Sequence, residues 1–265
     1  MSTVTSRDGT TIGYTRTGEG PAVILVDGAL CYRAFGPATP LAERLAGNFT
    51  VYTYDRRGRG ESGDTEPYHF EREVEDLEAV IEAAGGSAYV YGISSGAALA
   101  LETAAHGAGI MKLALYEIPY IVDDTQSPMP ADFVPGMRRM IAEGRPGDAV
   151  KAFMKRVGTP GFAIAVMRLL PVWSKLKSVA HTLPYDLSML EDNSQGRPLP
   201  TDRWATATVP TLVLDGGKSA PWIRNSMHSL AQVLPEGRYD TIAGQNHMLK
   251  ADAVAPVLIS YFTDR

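Results

Sequence analysis

Short, continuously apolar runs alternate along the chain with segments whose apolar residues recur at helical spacing. Each run is rich in β-branched or aromatic residues and is followed by glycine, proline or a polar residue. The runs are AVILVDG, FTVYTYD, AYVYGIS, KLALYEIP and VPTLVLDGG. Such a run predicts a strand that is buried on both faces of a parallel sheet.

The segments between these runs predict helices. Residues 71–84 place Val74, Leu77 and Ile81 on one helical face, and residues 95–105 are rich in alanine and leucine without a helix breaker. Further helices are predicted at residues 221–233 and 251–262, and a further strand at residues 237–244.

The start of the chain has a different, alternating pattern. Residues 2–20 alternate between apolar and polar positions, with turns at residues 8–9 and 18–20, which predicts a leading hairpin. Because strands then alternate with helices, the predicted fold class is α/β, with a mainly parallel sheet covered by helices on both sides.

The alternation of predicted strands and helices is interrupted once, by a long insertion. Residues 120–205 contain helical segments rich in Met, Phe and Leu, separated by Pro and Gly, and no clear strand. We therefore predict an α/β core of residues 1–119 and 206–265 and an inserted helical cap, or lid, of residues 120–205. Some apolar residues of this insertion are expected to line a pocket; the candidates are Phe133, Met137, Phe153, Met154, Phe162, Met167, Leu170 and Trp173.

Composition narrows the class of protein. The chain has 265 residues, of which 45% are hydrophobic and 21% charged, as in ordinary globular domains. A net charge of −5 with scattered Lys and Arg argues against a nucleic-acid partner. The longest apolar stretch, residues 161–173, is too short to cross a bilayer, so no membrane partner is expected. The single cysteine, Cys31, and the absence of an apolar signal segment in residues 1–10 predict a cytoplasmic protein.

The clearest candidate chemistry is the sequence GISSG at residues 92–96. It matches the G-x-S-x-G motif and lies between a predicted buried strand and a predicted helix of small residues. Ser94 is therefore the candidate nucleophile, and the backbone N–H of Ser95 is a candidate donor to the oxyanion. The alternative is that the serine only caps the helix.

Together these features resemble the α/β-hydrolase fold family over nearly the whole chain. The shared features are the leading hairpin, VDGA after the third strand, YDRRGRGESG after the fourth, the serine motif and a late histidine. DG after the third strand, SSGA at the serine motif and Glu-x-Pro after the sixth strand also resemble the zearalenone-type lactone hydrolases locally.

A serine nucleophile needs a general base, which a carboxylate orients. Of the five histidines, His247 lies between the last strand and the last helix, where the resemblance places the base. The other four are interpreted as structural or solvated: His69, His106, His181 and His228.

The orienting acid has two candidates. The segment after TLVLDGG, where the family usually carries its acid, has Ser219 in the expected place. Glu117 ends the preceding core strand and should emerge at the same carboxyl edge of the sheet as Ser94, as in some family members. Glu117 is the preferred acid, and Asp215 is the alternative.

The resemblance also implies a second oxyanion donor from the backbone after the third strand, which is Gly28 or, by preference, Ala29. Asp27 stands where the family usually has histidine and is expected to turn away and bond backbone N–H groups. GRGESG at residues 58–63 formally fits a dinucleotide motif, but no helix is predicted directly after it. We expect no cofactor and no metal site.

These observations predict a serine hydrolase that cleaves a carboxylic ester or lactone of a hydrophobic small molecule through an acyl-enzyme. Two alternatives remain at this point. One is a non-catalytic small-molecule-binding protein of the same fold, and the other is a cofactor-free perhydrolase or lyase that uses the same three residues. The sequence leaves open whether the chain is a monomer or a homo-oligomer.

Overall fold

Eight strands form one sheet in the computed structural model, which describes residues 2–264. The strands are β1 (Ser2–Thr5), β2 (Thr11–Thr17), β3 (Ala22–Val26), β4 (Thr50–Tyr54), β5 (Ala88–Ile93), β6 (Ile110–Tyr116), β7 (Thr211–Gly216) and β8 (Gly237–Ile242). Their order across the sheet is β1-β2-β4-β3-β5-β6-β7-β8. The pairs β1–β2 and β2–β4 are antiparallel, and all other neighbours are parallel.

Helices cover the sheet and fill the long connection between β6 and β7. They are α1 (Ala38–Leu45), α2 (Phe70–Ala83), α3 (Ser95–Ala105), α4 (Phe133–Ala142), α5 (Pro146–Arg156), α6 (Gly161–Met167), α7 (Val172–Ser178), α8 (Leu183–Glu191), α9 (Pro221–Val233) and α10 (Ala251–Thr263). A 3₁₀ turn at Ala180–Thr182 precedes α8.

Alternate residues of each parallel strand enter two apolar cores. In β3, for example, Val23 and Leu25 pack under α1 and α10, whereas Ile24 and Val26 pack under α2 and α3 on the other face. Both faces of the parallel strands are therefore buried, which explains why these strands are continuously apolar in sequence. The predicted fold class is confirmed.

Helix α1 is not predicted from the sequence, because its segment contains two prolines. Pro37 directly precedes this helix and Pro40 lies in its first turn. The first N–H groups of a helix have no intrahelical acceptor, so proline costs little there. Leu41 and Leu45 anchor the helix in the core, and packing thus outweighs the local breaker signal.

Within the described residues, the connection from β6 to β7 contains helices and no strand. Its apolar residues join the core on one face of the sheet, and α8 packs directly against α3. Of the pocket candidates, Met137 and Trp173 are buried, whereas Phe162 and Leu170 are exposed. The cap limits at residues 120 and 205 stay a prediction. Within residues 2–264, no helix combines the length and apolarity needed to span a membrane.

Candidate active site

Ser94 occupies a strained turn between β5 and α3. Its φ is +58°, in the left-handed region that residues other than glycine rarely adopt. A Cβ atom on Gly92 would lie 2.5 Å from Ala97 Cα, and one on Gly96 would overlap the carbonyl oxygen of Asp27. Both glycines of the motif are therefore required by close approach of the backbone, and the turn lifts Ser94 out of the sheet edge.

The backbone around Ser94 is held by two neighbouring segments. The Ser94 N–H donates to the Tyr116 carbonyl at 2.8 Å, at the end of β6. On the other side, a Cβ on Gly28 would lie 3.0 Å from Ser94 Cβ and 3.5 Å from its Oγ. The loop after β3 therefore lies against the candidate nucleophile.

Glu117 lies one strand away from Ser94. Ile93 of β5 pairs with Tyr116 of β6, so Ser94 and Glu117 directly follow paired residues on neighbouring strands. Adjacent strands are about 4.8 Å apart, so the two residues leave the sheet side by side. Glu117 is fully buried and has a φ of +50°, a second strained position at this edge.

The Glu117 carboxylate is fully engaged by donors. Its Oε2 lies 2.8 Å from His247 Nδ1, and its Oε1 accepts the Gly216 N–H at 2.8 Å and the hydroxyl of Ser219. Burial raises the pKa of Glu117, but the hydrogen bonds from His247, Ser219 and Gly216 together hold it below the ordinary value. The carboxylate is therefore ionised and aimed at the imidazole ring.

The loop that carries His247 is fixed to the same strand ends. The Tyr116 hydroxyl donates to the Asn246 carbonyl at 2.8 Å, and the lack of a side chain at Gly216 lets Gln245 approach β7. The His247 side chain is 47% exposed, and its Nδ1 is occupied by Glu117. Nε2 is thus the nitrogen left for chemistry. Among residues 2–264, no hydrogen bond joins the ring to Ser94 Oγ; such contacts are often long in free enzymes.

The alternative acid, Asp215, has other partners. It is buried and accepts the Tyr239 hydroxyl at 2.5 Å and Arg224 Nε at 3.3 Å. The remaining histidines lie apart from this constellation. His69 and His106 flank α2 and α3, His181 lies 3.8 Å from Asp64, and the ring of His228 packs edge-on against Tyr239.

The predicted oxyanion residues lie on both sides of Ser94. Within the described part of the chain, the N–H groups of Ala29 and Ser95 donate to no protein acceptor. Ser95 is the first residue of α3, whose N-terminal end carries a partial positive charge. Two free donors thus border the serine turn.

Asp27 is buried, and its carboxylate lies beside the segment that precedes α1, where a Cβ on Gly36 would overlap its Oδ2. Its expected bonds to backbone N–H groups stay a prediction. Burial raises the pKa of Asp27 to about 7, although the backbone N–H of Ala38, Arg59 and Arg56 act in the opposite direction.

Two sets of contacts are not predicted from the sequence. Ser219 occupies the place of the usual acid, and its hydroxyl donates to Glu117. Asp186 in α8 accepts the Ser95 hydroxyl across 91 positions of sequence. No local signal marks such a long-range partner.

An eight-stranded, mostly parallel sheet with a serine in a strained turn at its carboxyl edge defines the α/β-hydrolase fold. Residues 23–257 match the model of the alpha/beta hydrolase family. The chain therefore belongs to that family.

Solved structures agree with this assignment. An alpha/beta hydrolase from Sphaerobacter thermophilus DSM 20745 is 51% identical, with a TM-score of 0.91 over 99% of this chain and 100% of that chain. The enol-lactonase from Burkholderia xenovorans LB400 shares the fold, with 20% identity and a TM-score of 0.73 over 99% of this chain and 100% of that chain. An uncharacterized hydrolase of Bacillus subtilis (strain 168), YraK, is 36% identical over 101 residues, so the match spans 36% of this chain and 35% of that relative.

Proposed function

We propose that this protein is a serine hydrolase that cleaves a carboxylic ester or lactone through an acyl-enzyme. Ser94 is the nucleophile, His247 the general base and Glu117 the acid that orients the base. The observation that carries this proposal is the 2.8 Å contact between Glu117 Oε2 and His247 Nδ1, one strand away from Ser94.

The first half-reaction follows from these positions. His247 Nε2 takes the proton of Ser94 Oγ as that oxygen attacks the carbonyl carbon, and the ionised Glu117 stabilises the imidazolium. The N–H groups of Ala29 and Ser95 bind the oxyanion of the tetrahedral intermediate. The C–O bond to the leaving alkoxide then breaks, and His247 returns the proton to it.

The second half-reaction uses the same groups. His247 takes a proton from water, whose oxygen attacks the acyl carbon, and the Ser94–acyl bond breaks with return of the proton to Ser94. With an ester, the alcohol has already left. With a lactone, the hydroxyl stays attached to the acyl chain, and the product is a single hydroxy acid.

The proposed substrate is a hydrophobic small molecule. The insertion between β6 and β7 is rich in apolar side chains, including Phe133, Met154 and Met167, which are partly buried against the core. We infer that residues 120–205 act as a cap over Ser94.

A non-catalytic ligand-binding role is the second candidate. It is favoured by one observation, the absence among residues 2–264 of a hydrogen bond between Ser94 Oγ and His247. A binding protein would need a ligand cavity but not an activated serine.

An organophosphonate probe separates the two candidates. A fluorophosphonate should label the wild-type protein with one equivalent, and peptide mass mapping should place the adduct on Ser94. Ser94→Ala should not be labelled and should not turn over aryl esters or lactones. A folded wild-type protein that resists labelling would favour the binding role.

A further inference from the structure

A buried cluster of charges lies behind the proposed oxyanion hole, and its central residue comes from the helical insertion. Asp186 of α8 is only 1% exposed, and its Oδ1 accepts the Ser95 hydroxyl at 2.7 Å. The same carboxylate accepts Arg56 at 2.7 Å and Arg59 at 2.7 Å. One side chain of the insertion thus binds three residues of the core.

The two arginines connect Asp186 to the other side of the serine turn. Arg59 Nη1 donates to the Gly28 carbonyl at 3.0 Å, and Arg56 Nη1 to the Asp27 carbonyl at 3.3 Å. The Gly28 carbonyl and the Ala29 N–H belong to one peptide group, which is planar. Fixing the direction of that carbonyl therefore fixes the direction of the Ala29 N–H.

We propose that Asp186 is a positioning residue that sets both oxyanion donors. It holds the Ser95 end through the Ser95 hydroxyl, and it holds the Ala29 end through Arg59 and the Gly28 peptide. This inference rests on the proposed hydrolase function. If Asp186 has this role, the helical insertion helps to position the oxyanion donors, since removing α8 would release both of them.

The charges around Asp186 fit this role. Arg56 is also bound by Glu73, through two hydrogen bonds of 2.6 and 2.8 Å, so the cluster contains two cations and two anions. Burial raises the pKa of Asp186, but Arg59 and Arg56 outweigh it and hold the pKa below the ordinary value. A charge-assisted hydrogen bond is shorter and stronger than a neutral one, so an ionised Asp186 restricts its partners more.

The test compares two matched carboxylate variants in the full chain. Asp186→Asn removes the charge that holds both donors. Asp76→Asn removes a similarly buried carboxylate, which accepts two hydrogen bonds from Arg57. Arg57 lies in the same turn after β4 as Arg56 and Arg59 but, among the described residues, bonds neither Gly28 nor Ser95. Both should lower thermal stability, because Asp186→Asn leaves Arg59 without its carboxylate and Asp76→Asn leaves Arg57 with the carboxylate of Asp8 alone.

Only Asp186→Asn should slow the chemistry. We expect its kcat on an aryl ester and its rate of fluorophosphonate labelling at Ser94 to fall about 10- to 100-fold, with KM within about twofold. Asp76→Asn should keep both rates within about threefold. If Asp186→Asn labels and turns over as fast as Asp76→Asn, the inference is wrong and the proposed function stands. If the wild-type protein is not labelled, both are wrong.

Ser95→Ala keeps the test decisive if Asp186→Asn does not fold. It leaves every ion pair intact and removes only the bond from the serine turn to the insertion. We expect kcat to fall about three- to tenfold with KM unchanged, since one donor stays fixed through Arg59, and the melting temperature to fall by a few degrees because a buried hydrogen bond to a carboxylate is lost. A kcat equal to that of the wild type would overturn the inference.

Discussion

The hydroxyl of Ser219 donates to the carboxylate of Glu117, and Ser219 stands three residues after β7, where the family resemblance expects the acid itself. In the proposed site the orienting carboxylate therefore comes from the end of β6, whereas the resemblance expects it after β7. The end of β6 carries the carboxylate, and the segment after β7 holds it in place. Each side of this arrangement can be tested separately.

Replacing Glu117 with glutamine should remove most of the activity without unfolding the protein. The amide keeps the size of the side chain but cannot stabilise the imidazolium of His247, and it no longer selects the productive tautomer. We expect kcat on an aryl ester to fall about 10³- to 10⁴-fold, with the far-ultraviolet circular dichroism spectrum unchanged.

Asp215→Asn is the matched control for that variant. Asp215 is an equally buried carboxylate at the end of the next strand, but it bonds Tyr239 and Arg224. Its amide variant should lose stability and keep kcat within about threefold. The opposite pattern, with Asp215→Asn inactive and Glu117→Gln active, would move the orienting acid to Asp215.

Ser219→Ala should have a smaller effect on catalysis than Glu117→Gln. Glu117 would still accept the Gly216 N–H and His247, but it would lose one hydrogen bond to its charged form. We expect kcat to fall about three- to tenfold with KM unchanged, because the carboxylate remains present but less fixed. Steady-state kinetics on an aryl ester measures this. A kcat at the wild-type value would show that two donors are enough to hold Glu117.

The raised pKa of Asp27 predicts a specific dependence of stability on pH. The folded protein keeps a proton on Asp27 up to a pH of about 7, whereas the unfolded chain releases it near the ordinary pKa. Between these two values the folded state binds more protons, so the free energy of unfolding falls as pH rises, by about 1.4 kcal/mol per pH unit at most. Above pH 7 the loss is complete and stays constant.

Asp27→Asn should remove this titration. Melting temperatures of the wild type and the variant are measured from pH 5 to pH 8. The melting temperature of the wild type should fall relative to that of the variant up to about pH 7, and the difference should then stay constant. The comparison isolates Asp27, because every other titrating group is present in both proteins. Parallel curves for the two proteins would show that Asp27 is ionised in the folded state across this range.

The elements that sequence predicted well are those whose signal is local. The run AYVYGIS and the small residues after it give β5 (Ala88–Ile93) and α3 (Ser95–Ala105), and the register of the sheet then brings Glu117 beside Ser94. The end of a buried strand is sufficient to place a side chain at the carboxyl edge. That is why the strand pattern could nominate Glu117, whereas His247 was nominated from the family resemblance.

The parts that sequence could not predict depend on tertiary contact. Asp186 reaches Ser95 only because α8 packs on α3, and nothing in the sequence around residue 186 marks it as a partner of the serine turn. The prolines around α1 argue against a helix in sequence, but the burial of Leu41 and Leu45 stabilises one there. In both cases the deciding free energy comes from residues far away in the chain.

The glycines of the serine turn give a last prediction, with a control from the insertion. A Cβ on Gly96 would overlap the carbonyl oxygens of Val26 and Asp27, so Gly96→Ala must push β3 and α3 apart. We expect a loss of about 3 kcal/mol in the free energy of unfolding and no labelling of Ser94 by a fluorophosphonate, because the same shift displaces the loop that carries Gly28. A Cβ on Gly136, within α4 (Phe133–Ala142), would lie 4.0 Å from the Arg139 guanidinium and closer to nothing else beyond the adjoining helix backbone, so Gly136→Ala should stabilise the protein by about 0.5–1 kcal/mol and leave labelling unchanged. Urea unfolding of both variants measures the two effects. Normal labelling of Gly96→Ala would show that the turn tolerates a side chain and that close approach does not fix the position of Ser94.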